Sequence, residues 1–179
     1  MLVVGCIHGN EPAGIAITTT LRSLRVPAGV ELWVIPDLNP DGVAAGTRGN
    51  AHGVDLNRNF PWHWQHLAGL HYSGTKALSE PESKIASRLI LRVRPVIAIW
   101  FHQHRDLVDE SGGSVAVERR FASLVHLRLM RLPHYPGSAV SWQNAQLRGT
   151  TAFVVELPAG PVSAHSARVY AAAVLKVSQ

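Results

Sequence analysis

The sequence predicts an α/β fold, with helices packed on a central sheet, on three observations. Short apolar, β-branched runs alternate along the chain with segments of helical spacing. No internal repeat and no low-complexity linker interrupts that alternation. The 179 residues, 46% hydrophobic and 16% charged, suit one domain with a substantial core and exclude a disordered chain.

The first strand is "LVVGCI" (Leu2 to Ile7), a β-branched run broken by glycine. A helix follows from Glu11 to about Leu24, with Pro12 at a first helical position, where its missing N–H costs nothing. "VELWVIP" (Val30 to Pro36) is the next strand, stopped by proline. The stretch from Asp37 to about Ser79 is irregular and dense in Gly, Asn, Pro and His; a loop that long in a compact domain is usually functional. Ser79 is the expected cap of a helix that runs through Pro81 to Val93. "PVIAIWF" (Pro95 to Phe101) reads as a buried central strand. Val115 to Met130 has helical spacing, "TTAFVVEL" (Thr150 to Leu157) is another buried strand, and Val162 to Ser178 closes the chain with a helix.

The net charge of +5 and the pI near 10.0 invite a nucleic-acid reading. The positive charge is mostly scattered arginine, however. Only Arg88 to Arg94 and Glu118 to Arg120 cluster, and both read as solvated helix faces. No nucleic-acid partner is expected, and attraction for acidic substrates is the better use of the charge. The single cysteine, Cys6, cannot form an internal disulfide and reads as a small core residue. No apolar run is long enough to cross a bilayer and "MLVVGC" lacks a basic leader, so no membrane association and a cytoplasmic location are expected. A missing first part would remove that argument. The oligomeric state is left open.

His8, His102 and Glu156 each stand at or just beyond the C-terminal end of an apolar strand. In open α/β sheets that edge is where ligands bind. His8 and Glu11 in "GCIHGNEPAG" straddle a turn into a helix, so both side chains can reach one point. Two histidines and one glutamate form a known zinc set that leaves a fourth position for water. On its own His-x-x-Glu equally fits an ordinary strand-to-helix turn, and Gln103, His104 and His71 compete with His102 for the third position.

The stretch "LNPDGVAAGTRGNAHGVDLNRNFP" (Leu38 to Pro61), with His8-Gly-Asn-Glu11 before it and "SEPE" (Ser79 to Glu82), His102 and "FVVELPAG" after it, resembles the zinc metallocarboxypeptidases. Within that carboxypeptidase A-like family the pattern is similar to the bacterial murein-peptide amidase branch. The resemblance implies a single α/β/α sandwich over residues 1–179 with a central mixed sheet. Relatives have further strands upstream of the one that delivers His8, so the N-terminal strands are expected to be missing and a sheet edge exposed.

The resemblance also assigns roles. His8, Glu11 and His102 would hold one zinc ion. Glu156 would be the general base, and Arg48 would face the developing oxyanion. Asn57 and Arg58 would grip a free carboxylate of a small peptide substrate. Tyr135, in "HYPGSAVSW", falls in the region of the family's substrate-contacting tyrosine. Asp55 and Asn59 would hold their loop in place, Asn39 to Gly42 would form a bend, and the aromatic stretch Phe60 to His66 would pack in core or loop. A cis peptide is expected near Gln103–His104. Asn10 departs from the arginine common in digestive relatives and argues against their substrates.

The function implied is a zinc-dependent carboxypeptidase or amidase. It would cut a peptide or isopeptide bond beside a free carboxylate, with γ-D-glutamyl-diaminopimelate in murein peptides the expected bond. Two alternatives stay open: a zinc deacylase of N-acyl amino acids, of the aspartoacylase and succinylglutamate desuccinylase type, and a catalytically silent zinc-binding module.

Overall fold

A computed structural model describes residues 1–177. Its elements are β1 (Leu2–Val4), α1 (Gly14–Leu21), β2 (Trp33–Ile35), α2 (Pro40–Ala45), α3 (Pro81–Val93), β3 (Ile97–Gln103), β4 (Leu107–Asp109), α4 (Val115–Val125), β5 (Arg128–Met130), α5 (Ala139–Gln146), β6 (Thr151–Leu157) and α6 (Ala164–Val177). They build the mixed α/β sheet that was expected. Among the described residues the six strands lie in the order β2-β1-β3-β6-β4-β5, and only the β4–β6 pairing is antiparallel.

Two apolar layers cover the sheet. Ile17 and Leu21 of α1, Phe121 of α4 and Tyr170 and Val174 of α6 pack on one face, against Val3, Ile99, Phe101 and Phe153. Ala86 and Ile90 of α3 and Trp142 of α5 pack on the other, against Val4, Trp100 and Phe60. Burial on both faces explains why β3 and β6 read as continuous apolar runs rather than alternating ones. Cys6 is buried, as its composition reading required.

Several elements differ from the sequence reading. Helix α1 starts at Gly14 rather than Glu11, because tight turns from Glu11 to His8 and from Ile15 to Pro12 precede it. Glu11 therefore stays in the loop, where its carboxylate is free to aim. Ser79 does not cap α3: Glu80 is the N-cap residue, and the Ser79 hydroxyl accepts from Asn59 and donates to Glu80 instead. The Asn39–Gly42 bend is the start of a short helix, with the Asn39 side chain accepting from the Gly42 N–H. The helix predicted over Val115 to Met130 stops at Val125, where His126 turns left-handed. Leu127 and Leu129 then face the core while Arg128 and Met130 face out, a period of two that makes this segment β5. Strand β4 and helix α5 were not foreseen. Glu118, expected on a solvated face, is fully buried. Ser178, the predicted last helical residue, lies outside the described residues.

Candidate metal centre

Three local features bring the site together. Beyond β1 the chain runs to His8, and Gly9 then passes so close to the Gly42 backbone that a Cβ there would strike its carbonyl. The Asn39 side-chain amide donates to the carbonyls of Ile7 and Arg48, both at 3.1 Å, and so ties the His8 loop to the Arg48 loop. His102, near the end of β3, is the register partner of Glu156 in β6, so both side chains leave the same face of the sheet. The Gln103 side chain caps the first turn before α1 by accepting from the Ala13 N–H at 3.1 Å. The Gln103–His104 peptide bond is cis, where one was expected.

His8, Glu11 and His102 each offer a ligand atom, and these atoms lie within 4.8 Å of one another. Glu11 Oε2 is 3.0 Å from His8 Nδ1 and 3.2 Å from His102 Nδ1, and it also accepts the Gln103 N–H. His8 Nδ1 is buried without a hydrogen bond of sound geometry. An orphaned imidazole nitrogen aimed at a carboxylate and a second imidazole is a donor set that fits a metal ion. The other nitrogen, His8 Nε2, lies 3.0 Å from Oδ1 of the fully buried Asp55. That is the outer carboxylate that metal-binding histidines commonly have. His104 and Arg105 line the cleft but are not in the cluster. His71 reaches only Asp55, at 3.3 Å.

The electrostatics are tightly coupled. Burial opposes protonation of His8, but Asp55 and Glu11 outweigh it and raise its pKa. Burial alone would raise the pKa of Glu11, yet His102 and His8 pull it far down. Asp55 is likewise pushed up by burial and pulled further down by His8, Arg48 and Arg58. Arg48 donates through Nε to Asp55 at 2.8 Å and through a terminal nitrogen to Glu11 at 3.1 Å. It thus lies at the rim of the cluster, held by two carboxylates.

The cluster opens into a cleft of about 850 Å³ that also contains Glu156, Asn57, Arg58 and Tyr135. Glu156 is half-buried, and its Oε2 has no hydrogen-bond partner. Asn57 and Arg58 sit on the single turn Leu56–Arg58, fixed because Asp55 accepts the Asn57 N–H and Asn57 accepts the Ala139 N–H at the start of α5. The Arg58 guanidinium stacks 4.7 Å over the Tyr135 ring, and burial lowers its pKa. The aromatic stretch after Arg58 stays out of the cleft: Phe60 is fully buried in the core and Trp62 packs against it. All eight residues singled out from the sequence therefore face one cavity. Missed were the contact from Asp55 to His8, although Asp55 sits inside the quoted motif, and Asp109 and Ser111, which line the cleft from a segment that carried no motif.

Fold and site together define a metallohydrolase-type scaffold with a His-Glu-His cluster. The chain belongs to the zinc carboxypeptidase family, whose profile matches residues 1–109. It is 32% identical over 158 residues to murein peptide amidase A of Escherichia coli, covering 79% of this chain and 64% of that protein. It is 33% identical over 180 residues to murein peptide amidase A of Vibrio campbellii, covering 91% of this chain and 70% of that one. The chain thus spans about two-thirds of the length of these relatives. The crystal structure of murein-tripeptide amidase MpaA from Escherichia coli O157 superposes with a TM-score of 0.78 at 28% identity, covering 98% of this chain and 79% of that chain. Carboxypeptidase A from Helicoverpa armigera, at 18% identity, shares the fold with a TM-score of 0.77, over 98% of this chain and 59% of that one.

Proposed function

We propose that this chain is a zinc-dependent peptidase or amidase that hydrolyses the bond between γ-D-glutamate and a diamino acid in murein peptides. The observation that carries this reading is an arginine, Arg58, facing the same cleft as the His8-Glu11-His102 cluster and the unpartnered carboxylate of Glu156. The names of the relatives from Escherichia coli and Vibrio campbellii support the substrate class.

His8, Glu11 and His102 would hold the zinc ion, which when bound lowers the pKa of a water and polarises a carbonyl. The protein's own groups do the rest. Arg58, through its planar donor pair, and Asn57, through its free amide N–H, grip the terminal carboxylate and so set which bond lies over the cluster. Glu156 takes a proton from the attacking water and delivers it to the departing amine as the C–N bond breaks. Arg48 places fixed positive charge beside the carbonyl oxygen as negative charge develops there. Asp55 holds His8 in the tautomer that leaves Nδ1 free to coordinate.

Hydrolysis of a γ-D-glutamyl-diaminopimelate peptide by the zinc-loaded wild type and by Glu156→Gln tests the reading. Wild-type turnover that falls by about 10²–10⁴-fold in the variant, with zinc retained, is expected. A wild type that binds zinc but cleaves only N-acyl amino acids would transfer the site to deacylase chemistry, and one that cleaves neither would leave a silent zinc-binding module. Among the described residues no helix is long and apolar enough to cross a membrane.

A further inference from the structure

The cleft crosses the end of the sheet from one helical layer to the other. The Arg58 turn belongs to one side: Asn57 accepts the Ala139 N–H at the start of α5, which packs in the layer of Phe60 and Trp100. The end of β3 is tied to the opposite side. The Gln103 side chain accepts from Ala13, just ahead of α1, and donates to the carbonyls of Pro158 and Gly160, on the way to α6. The residues that follow lean the same way, because burial, aided by the nearby Asp106, pushes the Tyr170 hydroxyl of α6 up to about 12. Arg105 lies between Gln103 and Asp106 and lines the cleft. Arg58 and Arg105 thus stand on opposite sides of the His8-Glu11-His102 cluster.

Arg105 is also the uncommitted arginine of the cleft. Arg48 is shared between Glu11 and Asp55, while Arg58 donates to the Asn57 carbonyl and stacks on the Tyr135 ring. Among the described residues no carboxylate comes within 4.0 Å of the Arg105 guanidinium, although Asp106 is its neighbour in the chain. Its side chain is exposed, so water solvates the charge until a ligand arrives. The cleft also continues on this side. A recess of about 430 Å³, lined by Ala13, Ala16 and Val162, shares Asn10, Gln103 and Gly160 with it. A peptide whose leaving residue is held at Arg58 therefore has room to run past Arg105.

We propose that Arg105 binds a second carboxylate, on the acyl side of the scissile bond, so that the cleft selects γ-linked glutamate whose α-carboxylate is free. A γ linkage uses the side-chain carboxyl in the peptide bond. The α-carboxylate is then left on a short branch, roughly 5 Å from the scissile carbonyl carbon when extended. With Arg58 holding the carboxylate of the leaving residue, that branch falls on the far side of the cluster. There Arg105 offers the planar donor set that pairs with a carboxylate through two bonds. A glutamate whose α-carboxylate is amidated keeps the shape but loses the charge, and is the poorer substrate. The proposal rests on the peptidase reading above and deepens it by adding a requirement on the acyl side.

The test compares N-acetyl-γ-D-glutamyl-diaminopimelate with the same peptide carrying an α-carboxamide on the glutamate, on zinc-loaded wild type and Arg105→Gln. The substitution is at an exposed position, so it removes the charge without opening the core. Equilibrium binding of N-acetyl-D-glutamate and N-acetyl-D-isoglutamine, which share the γ-carboxylate, is measured alongside. In the wild type kcat/KM should favour the free-acid peptide by about threefold to tenfold, mostly through KM, as an exposed two-pronged ion pair would. In Arg105→Gln the ratio should fall to near one, for cleavage and for binding alike, with the loss on the free acid. No preference in the wild type overturns the proposal, and so does an equal loss on both peptides, which would make Arg105 a structural residue. If neither peptide is cleaved but the binding preference still depends on Arg105, the peptidase reading fails while the carboxylate site stands.

Discussion

His8 lies between two carboxylates: its Nε2 is hydrogen-bonded to Asp55 Oδ1 at 3.0 Å, and its Nδ1, without a hydrogen bond, lies 3.0 Å from Glu11 Oε2. One buried carboxylate thereby fixes the ring while a second shares the face that a metal would occupy. Asp55→Asn keeps the shape but removes the charge that orients and polarises the imidazole. Zinc affinity should fall by about 10–100-fold, read by competition with a chromogenic chelator. An unchanged affinity would show that His8 does not depend on Asp55.

Gly9 faces the Gly42 carbonyl with no room for a Cβ, and the obstacle is backbone rather than a side chain that could swing away. Gly9→Ala should therefore separate the His8 loop from α2 and cost about 1–3 kcal/mol or more, seen as a lowered Tm and weakened zinc binding together. A normal Tm would mean that the two loops can part freely.

Glu118 of α4 bonds to a cleft-lining residue, its Oε1 accepting the Ser111 N–H, while its Oε2 is unpartnered. Burial, aided by the nearby Asp109 and Glu110, raises its pKa to about 7 from 4.5. A carboxyl whose folded-state pKa is raised favours folding below the unfolded value and loses that contribution as pH climbs to the folded one. Stability should thus decline between pH 4.5 and about 7 by on the order of 2–3 kcal/mol. Denaturation midpoints across that range should flatten in Glu118→Gln, and a wild-type slope of the opposite sign that persists in the variant would refute the assignment.

In the proposed function Arg58 is the group that would recognise a free carboxylate. Arg58→Lys keeps a positive charge but loses the planar donor pair and the stacking on Tyr135. KM for a peptide with a free terminal carboxylate should rise by about tenfold or more. The amidated peptide, a poor substrate from the outset, should be affected far less. Equal losses on both peptides would place Arg58 outside carboxylate binding.

The parts of the site that were legible in the sequence share a physical cause. Strands β3 and β6 are buried on both faces, so they stand out as apolar runs, and His102 and Glu156 are conspicuous as polar residues at their ends. The loop residues became legible only through their resemblance to a family, because turns such as Leu56–Arg58 have no hydrophobic period to read. Strands β4 and β5 have three residues each, too few to establish alternation. Helix α5 mixes polar residues with the apolar ones it buries, so it shows no apolar stripe in the sequence, and its start is capped by Asn57 and Ser138. Asp109 and Glu118 were invisible because their burial follows from the β4–β6 register and the helix packing, both long-range facts. His102 and Glu156 stood out locally at strand ends, whereas the buried carboxylates around the cleft did not.

The most direct test of the His8-Glu11-His102 centre is the zinc content of the purified protein after equilibration with zinc and removal of the excess, measured by plasma emission beside Glu11→Gln and His102→Ala. One zinc per chain in the wild type, with binding abolished or sharply weakened in both variants, is the expected result. A wild type that retains no zinc, or variants that retain it undiminished, would contradict the centre described here.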